Sequence, residues 1–277
     1  MKFSDITTEK DLILYLNNAN ERMKNKKYIY HYTTINRCIE IFRSKLWYLA
    51  QARCMNDRLE YINGDKSKWE NLFFASFMSD ADESIGMWSM YAQPWTDGVK
   101  VAIPVKILKE WINGIKYIKE ISCVDFKPTG RIIACNDNNK IFLSSVVYSN
   151  CDSKNIDEEY ISCGTVKNHN FPNASHNSLL TGYVKDTAWD YEKEIRIKAE
   201  IDNTDNFSKV AIDIPDSVFN EIIITASPLF EGDLQSRLKK EINKQFSVDQ
   251  SIFTDMFKIE RICDGCQNRI TRLGSNI

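Results

Sequence analysis

The sequence has no run of about 20 apolar residues, so it offers no transmembrane helix. Its opening, Met1-Lys2-Phe3-Ser4-Asp5, is mixed polar and does not read as a secretory signal peptide. Net charge is small, −2 over 277 residues. That excludes a strongly basic, non-specific nucleic-acid binder and leaves room for a local basic groove, with Lys24, Lys26 and Lys27 or Lys127 and Arg131 as clusters. Histidine is scarce. Of three, His169 and His176 share one polar loop, so no convincing metal set emerges. The Gly-x-Ser-x-Gly elbow of serine hydrolases is missing, as are the Walker loop and Gly-x-Gly-x-x-Gly, which removes the common phosphate cradles. Repeats and low-complexity tracts are also absent.

Cysteine is present, eight residues, and without a signal peptide these read as reduced cytosolic thiols. Cys263-Asp264-Gly265-Cys266 has metal or redox spacing, yet no second ligand pair lies at zinc spacing. Nothing marks Cys38, Cys54 or Cys163 as an activated nucleophile. Hydrophobic content of 43% and charge of 27% are those of a globular protein. The expected localisation is cytoplasmic, with no membrane partner.

Strand and helix patterns interleave without a βαβ alternation, which favours an α+β fold. Helices are expected over Leu12–Lys24, from Thr33 or Thr34 to about Arg43, over Ser84–Tyr91 and Val105–Trp111, and mainly over Leu229–Phe246. Strands are expected at Tyr28–Tyr32, Leu46–Ala50, Leu72–Phe77, Gly98–Pro104, Ile115–Val124, Ile141–Tyr148, Lys209–Ile214, Asn220–Ala226 and Phe257–Cys263. A helical turn is expected over Leu179–Asp186. Asn150–Asn177 is polar and weakly patterned, a loop or surface insertion. The whole reads as a single domain over residues 1–277. Its core spans about 28–263, preceded by an N-terminal helix and interrupted by a polar insertion at about 150–177.

The stretch richest in chemistry is Trp189-Asp190-Tyr191-Glu192-Lys193-Glu194-Ile195-Arg196-Ile197. Strand alternation from Tyr191 sets Glu192, Glu194 and Arg196 on one face. Such a set is either a solvated charged face or a rigid site. In a site, one carboxylate orients a substrate and the other stabilises positive charge. His31 closes an early strand beside Tyr32 and Thr33, where an imidazole can bond ribose hydroxyls and Tyr32 offers a ring face. Met87-Trp88-Ser89-Met90-Tyr91 reads first as a core stripe, and Asn56-Asp57-Arg58 as a turn.

Several segments together resemble a bacterial family known mainly as a domain of unknown function. They are Tyr30-His31-Tyr32-Thr33; Leu46-Trp47 with Asn56-Asp57 and Glu60; Ser76-Phe77 with Met87-Trp88-Ser89-Met90-Tyr91-Ala92 and Gly98-Val99; and Trp189 to Arg196. Arg58 departs from the proline often found after Asn-Asp in that pattern. The family in turn looks like the ADP-ribosyltransferase fold, a split β-sheet with a NAD cleft, here with flanking helices. The resemblance implies Glu194 as the catalytic carboxylate and Glu192 as the group that orients or deprotonates the acceptor. It implies His31 on the nicotinamide ribose and amide. The cofactor-binding set becomes His31, Tyr32, Thr33, Asn56, Arg58, Trp88, Tyr91 and Arg196. Tyr32 or Trp88 would stack on nicotinamide, and Arg53, Arg58 or Arg196 would pair with the pyrophosphate. Arg196 has a rival role, bridging a glutamate on its own face. The implied activity is transfer of ADP-ribose from NAD to a nucleic acid or protein acceptor, in a toxin or anti-phage setting with a neutralising antitoxin as partner. NAD hydrolysis and non-catalytic nucleotide binding are the alternatives.

Overall fold

The computed structural model describes residues 2–18, 23, 25–55, 66–80, 82–122, 124–125, 127–149, 160–161, 165–175, 180–202 and 207–258. In chain order the elements begin with α1 (Glu9–Asn18), β1 (Tyr28–Thr34), α2 (Ile35–Ser44), β2 (Leu46–Gln51), α3 (Lys66–Trp69), β3 (Leu72–Met78), α4 (Ile85–Tyr91) and β4 (Gly98–Pro104). Next come α5 (Val105–Asn113), β5 (Tyr117–Ile121), β6 (Pro128–Ala134), β7 (Lys140–Ser145), β8 (Val147–Ser149), β9 (Tyr160–Ile161), β10 (Thr165–Asn168), β11 (Phe171–Ser175) and β12 (Val184–Asp186). A 3-10 helix at Thr187–Glu192 leads into β13 (Glu194–Glu200). The chain continues through β14 (Lys209–Asp213), α6 (Asp216–Phe219), β15 (Ile223–Ala226), α7 (Leu234–Ile242), β16 (Ser247–Gln250) and α8 (Thr254–Lys258). The class is α+β. Among the described residues no helix is long and apolar enough to cross a membrane.

The chain divides into two compact units. One comprises Met1–Lys27, Trp47–Ser79 and Val105–Ile214; the other comprises Tyr28–Leu46, Asp80–Pro104 and Pro215–Ile277. In the first unit β13 is an interior strand. It runs antiparallel to β3 on one side and to β7 on the other, with Arg196 opposite both Ser76 and Ser144. β2 continues the sheet from β3, and β14, β5 and β6 follow. Ile195, Ile197 and Ala199 fill one face of β13 and are fully buried. A separate apolar cluster ties α1 to the segment before β13: Leu12 and Leu16 pack with Ile6, Val147, Val166, Leu180 and Val184. The backbone polar groups of an interior strand are paired on both edges, which makes β13 a rigid mount.

The second unit is built on the order β16-β15-β4-β1, with β15 and β16 parallel and the other pairs antiparallel. α2 starts where the Thr34 hydroxyl accepts from the Arg37 N–H, the usual service of a capping threonine. Its apolar residues Ile35, Cys38, Ile39 and Phe42 fall at helical spacing and are buried. Phe42 stacks on Phe246, and both meet Phe219 edge to face.

Several expectations shift. The first helix starts at Glu9 rather than Leu12 and is described to Asn18; residues 19–22 and Lys24 lie outside the described residues. Of the Leu179–Asp186 segment, Leu179 lies outside the described residues; Leu180 is helical, turns follow, and Val184–Asp186 form the short strand β12, which pairs parallel with β8. The polar stretch expected as a loop holds the three-stranded sheet β9-β10-β11, its short strands bringing Val166 into the apolar cluster. Asn168 is buried there because its amide donates to the Phe3 carbonyl at 3.0 Å. Phe257 and Lys258 lie in α8, and the rest of the expected Phe257–Cys263 strand lies outside the described residues, as does Cys266.

Candidate functional site

The sequence places Glu192, Glu194 and Arg196 on one strand face; the structure brings them together by another route. Glu192 ends the 3-10 helix, and the strand begins only at Glu194. Between them Lys193 sits in the left-handed region at φ 43°. That conformation is uncommon for a residue with a Cβ. It is held by Ser79, whose N–H and hydroxyl both donate to the Lys193 carbonyl, at 3.0 and 2.8 Å. The pivot turns both acids toward the same ammonium. Lys185, from β12, donates to Glu192 Oε2 at 2.6 Å and stands 3.2 Å from Glu194 Oε2.

Arg196 completes the group. Its Nε and Nη2 donate to the two oxygens of Glu194 at 2.8 and 3.1 Å, a fork matched to a carboxylate. Nη1 donates to the Gly182 carbonyl at 3.1 Å, and the guanidinium lies 4.6 Å from the centre of the Phe74 ring. Lys185 lies 4.8 Å from the centre of the Trp189 ring. Lys185, Glu192, Glu194 and Arg196 are all buried, at 1, 4, 2 and 0% exposure. Two acids and two cations cancel formally, which is what permits four charges in a dry interior. Arg196 thus bridges Glu194 on its own face.

The electrostatics follow from burial and pairing. Burial pushes the Glu194 carboxyl up, but Arg196 and Lys185 overrule it and hold the pKa down at about 2. For Lys185 burial pulls the ammonium down, while Glu194 and Glu192 outweigh that and the nearby Arg196 charge, leaving it above its ordinary range. The Tyr148 phenol accepts from the Glu194 backbone N–H at 2.7 Å, and burial, with Glu194 adding to it, raises its pKa.

Lys185 is the member that sequence reasoning missed. A signal was available: two glutamates on a buried face require two cations, and Arg196 supplies one. The neighbouring pattern Leu180, Val184, Lys185 places a lysine in apolar company.

In the other unit, His31, Tyr32 and Thr33 occupy β1. Successive strand residues face opposite ways, so His31 and Thr33 share one face and Tyr32 lies on the other with Tyr30. Tyr32 meets Trp88 edge to face at 4.8 Å, and both are buried. The Trp88 indole donates to Glu83 at 3.1 Å, and Lys100 reaches Glu83 Oε1 at 2.9 Å. Tyr32 and Trp88 therefore pack as core on the Glu83–Lys100 pair rather than presenting open stacking faces. Tyr91 is half-buried at the end of α4, which Ser84 caps. Asn56 and Arg58 lie outside the described residues. Among the described residues no group of three or more His, Cys, Asp or Glu is placed to hold a metal.

The fold and the cluster define an α+β protein with a buried, charge-compensated lysine–glutamate–arginine group gathered at the start of an interior strand. A family model described as "Protein of unknown function (DUF2971)" matches residues 87–197. That span takes in Trp88, Tyr91, Lys185, Glu192, Glu194 and Arg196, and leaves out the β1 residues. No curated protein and no solved structure matches the chain.

Proposed function

We propose that this protein consumes NAD as an ADP-ribosyltransferase, moving ADP-ribose to a nucleic acid or protein acceptor in a toxin or anti-phage role. The observation that supports the reading is Glu194. It is an ionised carboxylate on a rigid strand, in dry surroundings, with Glu192 sharing its lysine. Breaking the bond from ribose to nicotinamide sends the electron pair to the leaving nicotinamide and leaves an oxocarbenium-like ribose. A fixed anion stabilises that centre more strongly in a low-dielectric site than in water. Glu192 takes the proton of the acceptor as it bonds to the ribose carbon. Turnover requires Glu194 to exchange its cations for substrate, and a pyrophosphate is a fitting new partner for Arg196.

The same cluster favours a second reading. Its charges are already compensated and enclosed, so it works equally well as a folding element in a non-catalytic nucleotide-binding module.

Incubation of the purified protein with NAD labelled in the adenylate part, in cell lysate, separates the readings. Transfer is expected to label a macromolecular fraction and release nicotinamide, with loss of both in a Glu194→Gln variant that keeps the wild-type circular dichroism. Nicotinamide release with free ADP-ribose alone points to hydrolysis. Calorimetric NAD binding without any release supports the binding module. Wild-type turnover in Glu194→Gln removes the proposed chemistry.

A further inference from the structure

Arg196 of β13 sits between two serines. Ser144, on β7, lies directly opposite it on one side, and Ser76, on β3, lies opposite it on the other. Residues directly opposite in an antiparallel pair share a face, with Cβ atoms about 5 Å apart. The two serines and the arginine therefore form one row beneath the charged cluster, all within the first unit. Ser76 is engaged, since its hydroxyl bonds to the Glu194 carboxylate. Ser144 is 1% exposed, and among the described residues its Oγ has no hydrogen-bond partner. A serine hydroxyl can donate one bond and accept two. Leaving all of them unmade in a dry interior is destabilising, and an alanine there would avoid that cost.

We infer that Ser144 is a positioning residue that holds the Arg196 guanidinium when Glu194 is freed for substrate. This rests on the ADP-ribosyl transfer proposed above, in which Glu194 gives up its cations. That exchange releases the Nε and Nη2 donors now spent on Glu194, while Nη1 keeps the Gly182 carbonyl. A cation stripped of its carboxylate in a buried site requires new acceptors. Ser144 takes one donor, and the planar fork then presents the other to a phosphate oxygen. In the resting arrangement the two charged oxygens of Glu194 win the guanidinium, because charge-assisted bonds are the stronger. The unmet hydroxyl raises the energy of that arrangement and so narrows its gap to the substrate-bound one. Ser144 touches no reacting atom and acts through the arginine.

The test compares the full chain with its Ser144→Ala and Ser144→Thr variants in nicotinamide release from NAD, alongside urea denaturation. Ser144→Ala is expected to lower kcat/KM about tenfold or more, the effect of losing one bond to a charged group. Its urea midpoint is expected to equal or exceed that of the wild type, because the resting protein loses no bond. Ser144→Thr keeps the hydroxyl and is expected to retain most of the activity. A lower midpoint in Ser144→Ala shows that the hydroxyl is already paired and overturns the inference. Wild-type kcat/KM in Ser144→Ala, with Glu194→Gln inactive, overturns it and leaves the proposed transfer standing. A folded threonine variant as slow as the alanine one also overturns it, since packing rather than the hydroxyl would then matter. If the threonine variant fails to fold, the alanine variant decides alone. Absence of nicotinamide release in the wild type removes the transfer and this role together.

Discussion

Replacing Lys185 by methionine asks how much the buried cluster contributes. The variant keeps the length and apolar stem of the side chain and removes only the ammonium. That ammonium lies 2.6 Å from Glu192 and 3.2 Å from Glu194. At an effective dielectric constant of about 20 these contacts correspond to attractions of about 6 and about 5 kcal/mol. Repulsion from Arg196 and the desolvation of every member offset most of that. The loss expected for stranding a buried charge is about 3–5 kcal/mol. The double variant Lys185→Met/Glu192→Gln removes one charge of each sign and should recover at least half of the loss. Urea denaturation at pH 7, followed by far-ultraviolet circular dichroism, measures both through the midpoint at unchanged slope. A Lys185→Met variant within about 1 kcal/mol of wild type would refute the reasoning. So would a double variant no more stable than the single one, because the two side chains would then be energetically independent.

Glu194 also predicts acid sensitivity. Its carboxyl is depressed from 4.5 to about 2, so its contribution is complete above the unfolded value and fades as pH falls through the folded one. The loss amounts to about 3 kcal/mol, readable as a falling urea midpoint between pH 5 and pH 2; a midpoint flat over that range contradicts it. Gly182→Ala should be strongly destabilising, by about 2–3 kcal/mol. The residue adopts φ +79°, and an added Cβ would stand 2.6 Å from the Phe74 ring. Thermal unfolding checks this, and a melting temperature within 2 °C of wild type, the shift about 1 kcal/mol gives in a large domain, argues against it.

The sheet elements were readable where side-chain chemistry repeats every second residue. Leu72–Phe77 is rich in Phe and Gly98–Pro104 in Val and Ile, and they emerge as β3 and β4. The helices Ile35–Ser44 and Ile85–Tyr91 followed from a capping threonine or serine and an apolar stripe. Two kinds of feature escaped. Pro128–Ala134 is a largely exposed strand with little apolar patterning, so periodicity had nothing to register there. The other was Lys193. Simple alternation put Glu192 and Glu194 on one face, and they do converge, yet by a left-handed pivot that no spacing rule encodes. The sequence likewise showed both acids and the arginine but not that Lys185 would arrive from a separate strand.

The bend at Lys193 has a consequence for how the two acids behave as a pair. The directions in which they leave the main chain are set by the torsion at Lys193, which the hydroxyl and amide of Ser79 hold. Inserting one residue at the bend would swing one carboxyl away and leave the ammonium with a single partner. The two glutamates are in that sense jaws on one hinge.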